Sequence, residues 1–357
     1  MTNRTQRPGE GRTRVPRPKP VGGPDGSGGK ITHVVILFLE NHTTDNVASD
    51  VPGVDGDPAL PLSQDVVTPD PPHDHEHWLL RNAPPPAGGR RERFNAAMMP
   101  NLYKLMSAFT VCDHYFSDYA GNSFPNHCFA IGADAEWAYA NPGPRYKVSI
   151  STPGVPARLK QAGKKWANYG RGFAFQHYAD PLMQKNAKSS AQFMSDAKAG
   201  KLPHVSWVYA PQGQDFHPGT GTSMRASDAW LGDAVRAIRQ GPGWASTMVF
   251  ITFDDWGGWA DHVDPAVKEV FPPGTLYAGE PYRFGSRVPC IVVGPYARPR
   301  HVSHDLLSHV SLVAFIERLW NLAPSPNQDA ARRTAADLGM AGCYDFNQTP
   351  LNPPQVP

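Results

Sequence analysis

The sequence predicts an α/β fold in which a mainly parallel sheet is sandwiched between helices. Three observations carry this reading. Residues 31–39 and 248–253 are short apolar runs rich in β-branched side chains and without polar alternation, the pattern of strands buried on both faces. Segments with apolar residues at helical spacing alternate with further short strands, as a parallel sheet covered on two sides requires. Both apolar runs stop abruptly at oxygen-bearing side chains, Glu40-Asn41 and Asp254-Asp255, and in open α/β sheets ligands sit just beyond the carboxyl ends of strands.

At 357 residues the chain is long enough to bury a large core. Residues 30–345 read as a single domain, preceded by a disordered tail rich in Pro, Gly and Arg (1–29) and followed by a Pro/Asn-rich tail (346–357). A formal net charge of +2, with charged residues at 18%, gives no global attraction for nucleic acid or acidic membranes. The four cysteines (Cys112, Cys128, Cys290, Cys343) show no CxxC spacing, so scattered reduced thiols are expected rather than a disulfide framework or zinc knuckle. No apolar run approaches the roughly 20 residues that cross a bilayer, and no apolar signal core is visible at the amino terminus. A cytoplasmic location is the expectation, with export as the alternative.

Taken in order, the 31–39 strand leads into a long Pro/Gly/Asp-rich loop at 50–95, and loops of that length are usually functional or disordered. His73, His75 and His77 alternate within it and would share one side of an extended segment, offering a second metal or phosphate contact, or simply a solvated loop. Helical spacing follows at 96–109, and a short strand at 111–116. Further helices are expected at 155–161, 191–199 and 223–240, with strands at 205–209 and 288–293. A closing helix is expected over 303–322, where His304 and His309 read as helix-start and packing residues. There is no internal repeat.

Four stretches carry the chemistry. Adjacent acids at Asp254 and Asp255 crowd negative charge, which a cation or proton must relieve; the competing reading is a solvated acidic strand end. Gly257 and Gly258 let the backbone turn tightly away from them. Glu40 and Asn41 would meet this pair if the two strands are parallel neighbours, or else cap the following turn. Ser123 lies where Pro125 favours a helix start, so its hydroxyl would see the positive end of a helix dipole; alternatively it is an N-cap. His217 also follows a strand.

Glu40-Asn41-His42 with Asp45, Ser123-Phe124-Pro125-Asn126, Asp215-Phe216-His217-Pro218, the run from Asp254 to Val263, and Arg287-Val288-Pro289 together resemble the bacterial phosphoesterase family. That family includes phosphatidylcholine-type phospholipases C and a group of acid phosphatases, within the alkaline-phosphatase superfamily. The likeness runs in family order from about residue 31 to 322. It implies an alkaline-phosphatase-like core and a metal ion held by Glu40, Asn41, Asp254 and Asp255, with Ser123 as nucleophile and further metal contact. It also implies a catalytic contact from His217 to the phosphoryl oxygens or leaving group. A histidine of the early loop, His73 or His77, would join the substrate site, with Asn126 and His262 as further candidates.

Two departures weigh on the substrate: His127 stands where many phospholipase members carry Arg, and the carboxy-terminal extension of several phospholipases has no counterpart here. The expectation is therefore an acid-phosphatase-like phosphomonoesterase working through a phosphoseryl intermediate. The alternatives are a phospholipase C-type phosphodiesterase and a non-catalytic metal-binding protein on the same fold. A sulfatase would need Pro and Arg at set positions after its nucleophile, and Phe124-Pro125-Asn126-His127 departs from that. One divalent ion is expected, Ca, Mg or Mn for an all-oxygen site and Zn if a histidine joins. The expected partner is a small phosphate ester or a phospholipid head group.

Overall fold

The computed structural model describes residues 29–170, 172–219, 221–325 and 340–355. Residues 1–28 of the expected 1–29 tail lie outside them, as do 326–339 and the last two residues. In chain order the first strand is β1 (His33–Leu39), followed by two short helices, α1 (Thr44–Ala48) and α2 (His75–Leu79). Next come α3 (Pro100–Ala108), β2 (Thr110–Cys112), β3 (Tyr115–Phe116), α4 (Ser123–Gly132) and α5 (Val155–Gln161). The middle of the chain holds β4 (Trp166–Tyr169), α6 (Leu182–Lys185), β5 (Ala187–Lys188), α7 (Ser190–Lys198), β6 (Val205–Val208) and α8 (Met224–Gln240). The last third holds β7 (Thr247–Phe253), β8 (Glu269–Val270), β9 (Pro281–Arg283), β10 (Cys290–Val293), β11 (His301–Ser303), β12 (Leu307–Ser308) and α9 (His309–Leu319).

Eight strands form the central sheet in the order β11-β2-β10-β7-β1-β6-β4-β5. β1 pairs in parallel with both β6 and β7, and only β10 runs against its neighbours in this sheet. Every residue of β7 and all but the first of β1 are buried, which fits an element whose alternate side chains both face covering layers. The helices fall into two groups, α3 and α7 packing on α8, and α5 and α9 packing on α4. The expected α/β fold with a mainly parallel sheet is what the chain adopts.

The topology gathers one set of chain ends. Because β1, β6 and β7 are parallel, Glu40-Asn41, the loop to His217 and Asp254-Asp255 all leave the same sheet edge. Backbone bonds stitch them: Asp254 N–H donates to Leu39 O (3.0 Å) and Glu40 N–H to Asp215 O (3.0 Å). The reversed strand β10 starts at this edge, which is why Arg287, three residues before it, belongs there too.

Several elements differ from expectation. The 111–116 strand is two, β2 and β3, broken at Asp113-His114. The helix expected from 303 begins at His309, because β11 and β12 occupy the preceding residues. β4 and β5, at the sheet edge, carry no long apolar run and were not foreseen. All four cysteines are buried and free, yet Cys112 and Cys343 are not scattered: their sulfurs lie 3.3 Å apart.

Candidate functional site

Ser123 is the first residue of α4, and Asn122 occupies the N-cap position. The N-cap reading of Ser123 therefore does not hold. Its hydroxyl instead donates to Asp255 Oδ2 at 3.1 Å, linking the helix mouth to the end of β7. Ser123 is 3% exposed, at the floor of the site.

The loop that delivers it is held by Asn126. Its Oδ1 accepts from Tyr119 N–H (2.7 Å) and its amide nitrogen donates to Asn122 O (3.2 Å). Both ends of this buried amide bond backbone, so Asn126 shapes the turn before Ser123. His127, one helical turn after Ser123, shares its face of the helix. It is fully buried, with Nε2 3.3 Å from Asp254 Oδ2.

Asp254 and Asp255 are both wholly buried. Burial drives the Asp255 carboxyl well above the usual carboxylate range, and the charge of Asp254 adds to this. Burial acts the same way on Asp254, but His127 and Ser123 outweigh it and hold this carboxyl below its usual value. Neither oxygen of Asp254 receives a well-aligned hydrogen bond, and Asn41 Oδ1 is likewise buried without a donor. Glu40, His127 and Asp254 each offer a ligand atom within 4.8 Å of the others. Buried oxygens that lack donors, gathered from two strand ends and beside an imidazole, suit a divalent cation with one nitrogen ligand. The residues present fit such an ion.

Glycines shape the wall beside it. Gly257 has φ +57°, and a Cβ there would lie 2.2 Å from Asn41 O. Its N–H donates to Asp255 Oδ1 at 2.8 Å. Trp256 is buried and its indole N–H donates to His73 O (2.8 Å), so the strand-end motif also fixes the early loop. His73 Nε2 lies 3.2 Å from the Asn41 amide, and its ring is 6.0 Å from that of His217. His217 is partly exposed, with Nδ1 2.6 Å from Pro218 O and Nε2 3.9 Å from Glu40 Oε2.

The structure thus brings Glu40, Asn41, Ser123, Asp254 and Asp255 together, with His73 and His217 at the open side. Besides Asn126, which is bonded to backbone, two expected residues, His77 and His262, stand apart from them. His75 and His77 lie on a helical turn rather than an extended segment, so the three imidazoles diverge. His77 is exposed and paired with Asp74 (2.8 Å), the N-cap of that helix, whereas His73 is the early-loop histidine that lies beside Asn41 and His217. His262 is engaged by Asp45 (2.8 Å) and Asp55 (3.2 Å) in a cluster with Asp261 and Arg287, which props the loop after β7. Sequence reasoning missed His127 as a member of the cluster; the signal was its four-residue spacing from Ser123 within a helix.

Among curated proteins, a non-hemolytic phospholipase C of Burkholderia pseudomallei is 27% identical, covering 72% of this chain and 45% of its own length. Phospholipase C A of Mycobacterium tuberculosis is also 27% identical, with coverages of 71% and 56%. Non-specific phospholipase C3 of Arabidopsis thaliana is 24% identical, with coverages of 73% and 55%. The chain spans about half the length of the curated relatives it matches. Among solved structures, murine ectonucleotide pyrophosphatase/phosphodiesterase 5 overlaps with a TM-score of 0.48 at 11% identity, covering 84% of this chain and 97% of that one. A protein in the alkaline phosphatase superfamily from Vibrio parahaemolyticus overlaps with a TM-score of 0.44 at 12% identity, covering 83% and 68%. The family match itself runs over residues 90–323, from the end of the long early loop through α9, and by it the chain belongs to the Phosphoesterase family.

Proposed function

We propose that this protein is a divalent-metal-dependent hydrolase of phosphoric esters in which Ser123 is the nucleophile. The observation that carries this reading is the Ser123 hydroxyl, at the mouth of α4, 3.1 Å from Asp255 and beside the buried Asp254 carboxylate. Glu40, Asn41, Asp254 and Asp255 would hold the ion together with the serine oxygen, and His127 is placed to add a nitrogen. When bound, such an ion supplies a lowered hydroxyl pKa and charge relief for the phosphoryl oxygens.

This chain's own residues do the rest. Phosphoryl transfer asks for in-line positioning and electrostatic stabilisation more than for covalent machinery. Asp255 orients the serine oxygen, and the positive end of the α4 dipole favours its anionic form. As Ser123 attacks phosphorus its hydroxyl proton passes to Asp255 Oδ2, the Ser123–phosphate ester forms and the bond to the leaving alcohol breaks. His217, on the exposed side, donates a proton to that departing oxygen. Water then hydrolyses the phosphoseryl ester and restores the hydroxyl.

The relatives' names support a phosphodiester of the phospholipase C type as substrate. A phosphomonoesterase is the second reading: His127 is fully buried against Asp254, so it presents no cation to a head group. The two are separated by p-nitrophenol release from p-nitrophenyl phosphate and from p-nitrophenylphosphorylcholine, with and without a chelator. Chelator-sensitive turnover of the choline ester supports the diesterase, and turnover of the monoester alone supports the monoesterase. Absence of turnover with both esters and with phosphatidylcholine vesicles would leave only a binding protein.

A further inference from the structure

A second group of metal-ligating side chains lies at the same sheet edge, beyond β10. Parallel pairing of β11 with β2 sets Ser303 opposite Cys112, so the next residues of the two strands, His304 and Asp113, emerge side by side. His304 Nδ1 lies 2.9 Å from Asp113 Oδ1, and the His304 and His114 rings are 5.9 Å apart. Ligand atoms of Asp113, His114 and His304 fall within 4.8 Å of one another. Asp55, from the long early loop, adds a carboxylate 3.3 Å from His114 Nε2.

The charge balance points the same way. Asp113 is fully buried; besides His304 its carboxylate accepts from the Asp55 N–H at 2.7 Å, and its backbone carbonyl accepts from Arg287 at 3.3 Å. The adjoining guanidinium, Arg287, is already shared among Asp45 (3.2 Å), Asp261 (2.7 Å) and Asp55 (3.5 Å). Two of the acids it serves are themselves buried, and the four carboxylates of this corner, Asp45, Asp55, Asp113 and Asp261, have that one guanidinium together with His262, His114 and His304 as their side-chain partners.

We infer that Asp113, His114 and His304, with Asp55 as fourth ligand, form a site for a zinc-class divalent ion, distinct from the cluster around Ser123. Two imidazoles and two carboxylates match the borderline character and four-coordination of zinc, and the mixed set disfavours calcium. A tetrahedral zinc site places ligand atoms about 3.3 Å apart, given metal–ligand bonds of about 2.0 Å, so small side-chain rotations suffice. The ion would tie the early loop, the β2–β3 junction and the β11–β12 loop into one corner.

The test is zinc content of the full-length protein, stripped with EDTA, reloaded with Zn²⁺ and desalted. Two equivalents are expected in the parent, and one in the His114→Ala/His304→Ala variant. His304 is largely exposed, so a His304→Gln variant, which keeps the fold, gives the same reading through at least tenfold weaker binding of one equivalent. Asp254→Asn should lose the other equivalent and keep this one. Unchanged zinc content in both histidine variants would overturn the inference and leave these histidines as hydrogen-bond partners of the acids. That failure is separate from failure of the Ser123 site, which the Asp254→Asn arm alone reports.

Discussion

Ser123 Oγ and Asp255 Oδ2 meet at 3.1 Å across 132 residues of sequence, and this contact joins the two halves of the site. Removing the hydroxyl should stop turnover while sparing the fold. Ser123→Ala deletes one hydrogen bond, worth about 1 kcal/mol, and leaves little void. A fall in kcat of at least ~10³-fold is expected, since loss of a nucleophile removes the covalent route altogether. Steady-state kinetics on both nitrophenyl esters, beside a thermal melt, checks it. Activity within tenfold of the parent would remove Ser123 from the mechanism.

Asp254 makes a different prediction, because its carboxylate is wholly buried and poorly supplied with donors. An ion that binds only the folded state raises stability by mass action, about 2.7 kcal/mol at a hundredfold excess over Kd. The parent's melting temperature should therefore rise on adding the activating ion after chelation. Asp254→Asn should abolish most of that rise together with activity. An equal rise in parent and variant would take Asp254 out of the ligand set.

Both strand ends were legible because composition and chemistry coincide there. A run such as Val249-Phe250-Ile251-Thr252-Phe253 has one physical use, a doubly buried strand, and the acids that follow can only stand at its end. The serine was legible as a helix start but not as a non-cap, since Asn122 and Ser123 are equally good cap residues by type. The surroundings of His127, Asn126 and His262 were not legible. The surroundings of His127 and His262 depend on distant partners, Asp254 and Asp45, while Asn126 folds back on the turn just before it, and residue type alone encodes neither. The antiparallel sense of β10 was equally hidden, because a run of four apolar residues reads the same in either direction.

Gly257 tests whether the turn after the twin acids is a structural requirement. An alanine there must hold φ +57° and clear Asn41 O, 2.2 Å from its Cβ, which is backbone and cannot swing aside. A cost of about 1–3 kcal/mol is expected for the strained conformation. Displacing Asn41 should also lower kcat/KM by more than tenfold. A Gly257→Ala variant that melts and turns over like the parent would show the close approach to be relaxed in solution.

The pH dependence of stability, measured in chelator, sets two buried groups against each other. Burial lowers His42 from 6.5 to about 4, against its bonds to Asn46 and the Phe216 carbonyl. Between those values the unfolded chain binds the extra proton, so this histidine's contribution is present above pH 6.5 and is lost as pH falls toward 4, by about 3 kcal/mol. Asp261 is raised from 3.8 to about 6 by burial, with Asp45 adding to it and Arg287 opposing. Here the folded state holds the extra proton, so stability falls as pH rises from 3.8 through 6, by a similar amount. The two slopes oppose each other between pH 4 and 6, and the parent should be nearly flat there as far as these groups decide it. Asp261→Asn should uncover the histidine slope, with stability rising as pH rises from 4 to 6.5. His42→Gln should uncover the opposite slope. Urea-unfolding midpoints at half-unit steps would show it, and identical profiles for the two variants would mean that neither group titrates differently in the folded and unfolded chain.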